Sequence, residues 1–183
     1  MANIRFAKGT PYGCGEMNHA TWPRDGRVPS QLPLANEFTE QNPCENGMWL
    51  VYDELAKEVR KPTAVTENMA IVYSSEKDYG MIGQRGLGYF CQVEGDYPRM
   101  GRPSVGDKYT TNTIELGDYQ DAAAVATAVD GGTTVYVIPD TTTGVPKLSS
   151  SDSATATLAG KVIKVYTVPN GDVGFKIEII RAQ

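Results

Sequence analysis

The sequence is short of the side chains on which most enzymes depend. It has one histidine, His19, which stands near Cys14 and Glu16 without metal-ligand spacing or a recognisable triad partner. The three cysteines, Cys14, Cys44 and Cys91, are odd in number and far apart, which argues against a disulfide framework, and no CxxC pair is offered to zinc. They read as semi-buried free thiols, with a Cys14–Cys44 bridge pinning the N-terminal segment as the alternative. No GxSxG is present, and Ser149-Ser150-Ser151 reads as a flexible loop rather than a nucleophile elbow. Positive charge is also scarce. The formal net charge of −5 supplies no basic footprint, so binding to nucleic acid by phosphate neutralisation is not expected. No apolar run reaches the length needed to cross a bilayer, and MANIRFAKGTPYG lacks the apolar core of a signal peptide. The expected setting is a cytoplasm, or an assembly built there.

Other weak signals fail on their context. Gly80 to Gly88 (GMIGQRGLG) looks superficially like a phosphate loop, but it lacks the Lys-Ser/Thr of a Walker motif and a surrounding βαβ unit. It reads as a surface loop in which Arg85 is available to a partner. Asp53, Glu54, Glu94, Asp96 and Asp107 are scattered among turn residues, where aspartates generally cap backbone N–H groups. A pair of them could form a glycosidase site only at a separation that sequence does not give. Asp130 and Asp140 show no EF-hand spacing. No catalytic, cofactor or metal-binding residue is assigned.

What is present points to β-structure. With 183 residues, 40% hydrophobic and 21% charged, the chain has the composition of a folded soluble protein of one large domain or two small ones. Nineteen glycines, eleven prolines and ten tyrosines fit short strands separated by turns. The clearest stretch is Lys161 to Ile180, KVIKVYTVPNGDVGFKIEII. Val173, Phe175, Ile177 and Ile179 alternate with Gly174, Lys176 and Glu178, the period of a pleated strand. Pro169-Asn170-Gly171-Asp172 supplies the hairpin turn. Val162 to Val168 alternates less cleanly and is expected to be covered on both faces.

Residues 1–46 differ from the rest. Prolines and glycines recur too often for helix or strand, yet Phe6, Tyr12, Met17, Trp22, Leu32, Leu34 and Phe38 are too apolar for a solvated tail. The segment reads as an extended arm, wrapping either its own domain or a neighbouring subunit. Strands are expected over Met48–Tyr52, Met69–Ser74, Tyr89–Val93, Lys108–Leu116 and Thr133–Ile138. Asp53–Arg60 is either a helical turn or a hairpin loop leading into a strand. Tyr119–Val129 is ambiguous: its alanines favour helix, but Asp130-Gly131-Gly132 resembles a hairpin turn, and strand is the reading taken. Pro139–Asp152 reads as loop. The expected fold is mainly β, a barrel or sandwich core with a long irregular N-terminal arm. The expected units are 1–46, 47–103 and 104–183, the last two being one domain or two.

Two stretches carry a resemblance: Gly106-Asp107-Lys108-Tyr109-Thr110-Thr111-Asn112, and Gly160 to Asp172 before the terminal strand. A similar tone runs through Val51-Tyr52-Asp53-Glu54 and Lys61-Pro62-Thr63. In style, residues 48–180 resemble the small β-rich virion proteins of tailed bacteriophages, in particular capsid decoration (cement) and related head proteins. The resemblance implies a non-enzymatic role on the capsid surface, as a homo-oligomer, with a trimer favoured. The partner would be the major capsid protein, with no cofactor, nucleic acid or membrane, and assembly in the host cytoplasm. On this reading Trp22, Leu32, Leu34 and Phe38 anchor the arm on the shell. The alternatives are another virion component (tail tube, connector or head-fibre base) or a carbohydrate- or surface-binding module. The module would need an aromatic platform from Trp22, Trp49 and the tyrosines, although Trp49 reads as buried.

Overall fold

The computed structural model describes residues 17–18, 32–74, 91–167 and 171–182. Within them the chain forms ten strands and one helix. The strands are β1 (Met17–Asn18), β2 (Trp49–Asp53), β3 (Glu58–Arg60), β4 (Met69–Val72) and β5 (Met100–Gly101), followed by β6 (Lys108–Thr111), β7 (Tyr136–Ile138), β8 (Lys147–Ser149), β9 (Ala159–Thr167) and β10 (Val173–Arg181). The helix α1 spans Ala122–Asp130. Every strand pairing is antiparallel. The strands make two open sheets, a six-stranded one in the order β1-β6-β10-β9-β7-β8 and a four-stranded one in the order β3-β2-β4-β5. Neither closes on itself, so the barrel form of the expectation is not seen.

The apolar run Met48–Val51 is explained by burial on both faces of the four-stranded sheet, the condition that turns alternation into a continuous apolar stretch. Trp49, Val51, Met69 and Ile71 enter a core shared with Tyr109, Phe175, Ile177 and Ile179 of the six-stranded sheet. Their sequence neighbours Met48, Leu50, Ala70 and Val72 enter a second core with Leu34, Phe38, Cys44 and Met100. Residues on both sides of the 103/104 boundary therefore share the first core.

The second core corrects the reach of the arm. Leu34 and Phe38 are buried at 2% and 0% exposure, and Cys44 is buried with them. Leu34 bridges Val59 in parallel, its N–H donates to the Asp96 carbonyl at 2.8 Å, and the Ala35 N–H donates to Val59 at 2.9 Å. From Leu34 onward this part of the arm lines the body rather than leaving it. Aliphatic and aromatic side chains among proline-spaced backbone can pack as well as those of a strand, because burial needs contact, not periodicity.

The helix corrects a second expectation. Tyr119–Val129 is not a strand: Asp121 caps α1, its carboxylate accepting from the Ala124 N–H at 2.7 Å, and alanine propensity carries the turn that follows. Gly131 is the C-cap rather than a hairpin residue. Only Val125 of the helix is fully buried, with Ala122, Ala128 and Val129 packed half-buried beside it, so the apolar stripe that would have announced it is weak. Asp53–Arg60 resolves as the β2–β3 hairpin, with Lys57 at a φ of 63° in its turn. The expected strand Lys108–Leu116 stops at Thr111, and β8 lies inside the expected Pro139–Asp152 loop. In the expected strand Tyr89–Val93 only residues 91–93 are described, and Gln92 forms just an isolated bridge to Cys44.

The terminal hairpin forms as expected, pairing Val173 with Thr167 and Glu178 with Lys161. Phe175, Ile177 and Ile179 point into the core. The expectation for Val162–Val168 is overturned. A β-bulge between the Val162 and Lys164 pairings leaves Ile163 and Lys164 exposed, and β9 is not covered on both faces.

Candidate functional site

The N-terminal segment meets the body at β6. Met17 and Asn18 pair with Thr111 and Thr110, placing β6 between β1 and β10. Thr110, Thr111, Asn112 and Thr113 are all buried, an unusual run of polar side chains. The fold satisfies most of them locally. The Thr113 hydroxyl donates to the Asn46 carbonyl at 2.5 Å, and the Thr113 N–H donates to Thr111 Oγ1 at 3.0 Å. Asn46 Nδ2 donates to the Ser74 carbonyl at 3.0 Å. Ser74 in turn donates to Gln92 Oε1 at 2.7 Å and accepts from the Arg99 N–H at 2.9 Å. Gly47 lets this seam close: its φ is +93°, and a Cβ there would stand 2.7 Å from Thr111 Oγ1. Two acceptors at the seam, Asn46 Oδ1 and Thr110 Oγ1, are buried with no hydrogen-bond partner among the described residues. The seam fixes the position of β6 against the segment before β2.

Charged and polar clusters lie elsewhere among the described residues, three of which bear on chemistry. Arg60 donates to Asp53 at 3.0 Å and to Glu67 at 2.6 Å, while Glu67 also accepts the Thr63 N–H at 2.6 Å. The Arg60 guanidinium holds the Glu67 carboxyl down to about 2. In the second cluster Thr143 Oγ1 donates to Glu115 at 3.0 Å, and Lys147 pairs with Asp140 at 3.2 Å. Burial pushes the Glu115 carboxyl up. Burial works the same way on Asp140, but the Thr143 and Thr142 amides and Lys147 outweigh it and hold that carboxyl down. In the third, Asp118 accepts from the Ser150 N–H at 2.8 Å and the Ser149 hydroxyl at 3.1 Å, a loop clamp. Nothing in the sequence marked Glu115 and Asp140 as neighbours, because the loop carrying Asp140 folds back onto Glu115 only in three dimensions. Among the described residues no group of three or more His, Cys, Asp or Glu side chains is placed to hold a metal ion.

The expected contact residues separate. Leu34 and Phe38 are interior, Leu32 is half-buried against the second core, and Trp22 and Arg85 lie outside the described residues. Leu34 and Phe38 are thus withdrawn as outward anchors, since a side chain buried in its own chain has no surface left to offer. Trp49 is wholly buried, which removes it from any aromatic platform. Cys44 is a free buried thiol whose pKa is pushed up by burial and then by the Glu45 charge, the opposite of a reactive cysteine. Cys14 lies outside the described residues. No helix among the described residues is long and apolar enough to cross a membrane. Comparison of the chain with protein-family models, curated proteins and solved structures gives no match.

Proposed function

We propose that this chain is a structural virion protein that binds the outer capsid surface and strengthens contacts between major capsid subunits. It acts as a homo-oligomer assembled in the host cytoplasm. We further propose that its two sheets pack as a sandwich. The observation that carries the reading is the way the N-terminal segment joins the body. It enters the six-stranded sheet as a two-residue strand on β6, and the chain then lines the four-stranded sheet through Leu34 and Phe38. A β-body braced in this way by its own N-terminal segment is a rigid block that binds by surface area rather than by reacting groups, and multivalency multiplies modest contacts over a shell. The resemblance of residues 48–180 to decoration proteins supports the same reading.

The β9–β10 hairpin favours a second virion reading. Its strands are nine residues each, and the distal half of β9 is largely exposed. A long hairpin is the element expected of a tail-tube subunit that closes into rings.

The test is binding to purified capsids by the full chain and by a variant lacking residues 1–31. The cut stops before Leu32 so that the second core survives. Saturable binding with a rise in capsid melting temperature, lost or weakened on truncation, is the expected result. Full-length protein that leaves capsids unbound while closing into stacked rings would transfer the assignment to the tail tube.

A further inference from the structure

The outer face of the six-stranded sheet carries a charge pattern opposite to that of the whole chain. In register across β6, β10 and β9, Lys108 stands beside Glu178 and Glu178 beside Lys161, while Lys176 stands directly beside Lys164. Glu178 is shared between two ammonium groups, at 3.8 Å from Lys108 and 3.2 Å from Lys161. Among the described residues no carboxylate within salt-bridge distance serves Lys164 or Lys176, although like charges directly opposite on neighbouring strands are unfavourable. Four lysines against one glutamate leave this face at +3 in a chain of formal charge −5, so the remainder carries −8. Thr110 and Gly174 are buried within this face, while Lys108 at the start of β6 and the residues from Lys161 along β9 are more open.

Among the described residues, that part of β9 is paired on one side only. β7 pairs with β9 only at Lys161 and Gly160, and the last bond across is the Val162 N–H to the Val135 carbonyl at 2.9 Å. From Ile163 to Thr167 the described partner is β10 alone. Ile163, lifted by the bulge, is 36% exposed beside Lys164. A surface with an apolar centre, a basic rim and a strand edge that no described residue pairs suits an acidic protein partner with an apolar tip.

The same chain presents one. The β2–β3 turn carries Leu55 at 94% exposure, by far the most exposed large apolar side chain described, between Glu54 and Glu58. No ion pair among the described residues engages Glu54 or Glu58, whereas the neighbouring Asp53 is held by Arg60. Lys57 in the same turn reduces the tip's net charge to −1, so Leu55 and the −8 of the remaining chain share the complementarity with the two glutamates. We propose that the Lys161, Lys164 and Lys176 face, centred on Ile163, is the docking surface for a second copy of this chain, which meets it with its β2–β3 tip. The two surfaces differ, so the contact is head-to-tail and repeats from copy to copy, closing as a ring wherever the rotation permits. This inference stands apart from what the assembly coats.

Sedimentation velocity of the full chain over a range of concentrations tests it. Self-association is expected at low salt and is expected to weaken steeply near 1 M salt, where screening acts within about 3 Å. Lys164→Glu with Lys176→Glu should weaken it by about tenfold or more, as should Glu54→Lys with Glu58→Lys. Leu55→Ser should weaken it without changing charge. Mixing the two charge-reversed proteins, or combining all four changes in one chain, should restore it. A unit-by-unit melting curve unchanged from the parent shows that each variant is folded. A wild-type chain that stays monomeric at every concentration overturns the proposal, as does association indifferent to both reversals or a charge swap that fails to rescue. Retention on heparin or on polyglutamate without self-association would assign the lysine face to a different occupant and equally overturn it.

Discussion

Trp49 and Tyr109 are sixty residues apart, belong to different sheets and are both fully buried, and the Trp49 indole N–H donates to the Tyr109 hydroxyl at 3.1 Å. The bond ties the four-stranded sheet to the six-stranded one at the centre of their shared core. An indole N–H and a phenol both carry a polar tip on an apolar body, so each is the other's means of being buried.

Tyr109→Phe keeps the ring and leaves the Trp49 N–H without that acceptor. The expected loss is about 1–3 kcal/mol of unfolding free energy, the cost of orphaning a buried donor. Urea denaturation measures it. An unchanged midpoint would mean that the indole finds another acceptor.

Alkaline pH should act in both cores, through Tyr109 in the first and Tyr52 at the second. Burial pushes the Tyr109 phenol above its ordinary range, and burial and then Tyr73 push Tyr52 to about 12. The folded state therefore keeps protons that the unfolded chain releases near pH 10. Stability is whole below that pH and falls as pH rises from there. Tyr52→Phe should flatten the part of the loss between about pH 10 and 12. Melting temperatures across the alkaline range give the comparison.

The acid side is governed by Glu67, whose carboxyl lies near 2 instead of 4.5, mainly because Arg60 binds its ionised form. A lowered folded pKa stabilises above the unfolded value and is lost as pH falls through the folded one. Glu67→Gln should cost about 1–2 kcal/mol at neutral pH, a charge-assisted bond discounted for partial exposure, and progressively less between pH 4 and 2. A cost that does not shrink with acid would mean that the bond to Arg60 is not its source.

Two glycines with positive φ should respond differently to alanine. Gly117 has a φ of +56°, and a Cβ there would fall 1.7 Å from the Leu148 carbonyl oxygen. Gly132 has a φ of +80° and open space around the same position. Gly132→Ala should cost about 1 kcal/mol, from backbone strain alone. Gly117→Ala should exceed it by several kcal/mol or fail to fold, because backbone atoms cannot yield to the new methyl. Equal costs would show that the Leu148 strand gives way.

Truncation should find the edge of the body. Removing residues 1–31 should leave a cooperative unfolding transition, whereas removing 1–45 takes Leu34, Phe38 and Cys44 out of the second core and should abolish it. Phe38→Ala alone is expected to cost about 3–5 kcal/mol. Circular dichroism melts of the three proteins decide the matter.

The residues most legible from sequence were those whose neighbours along the chain fix their structure. The Val173–Ile179 alternation and the Asn170-Gly171 turn signal set the terminal hairpin, because pleat and turn are local constraints. The apolar run at Trp49 was legible as a buried strand for the same reason. The helix was misread because the glycines after Asp130 serve equally as hairpin turn or helix C-cap, and the choice depends on whether Val125 has a core to enter.

By itself the sequence determined the mainly β class, the terminal hairpin, and the scarcity of histidine and positive charge that narrows the chemistry. Only the tertiary structure decided where the arm becomes body. It also decided that Leu34 and Phe38 face inward, that Thr143 brings Glu115 and Asp140 together, and that four lysines align across three strands. Each of these depends on residues far apart in the chain meeting through sheet register and loop closure. Register is fixed by the whole set of buried faces at once, not by any stretch of sequence read alone.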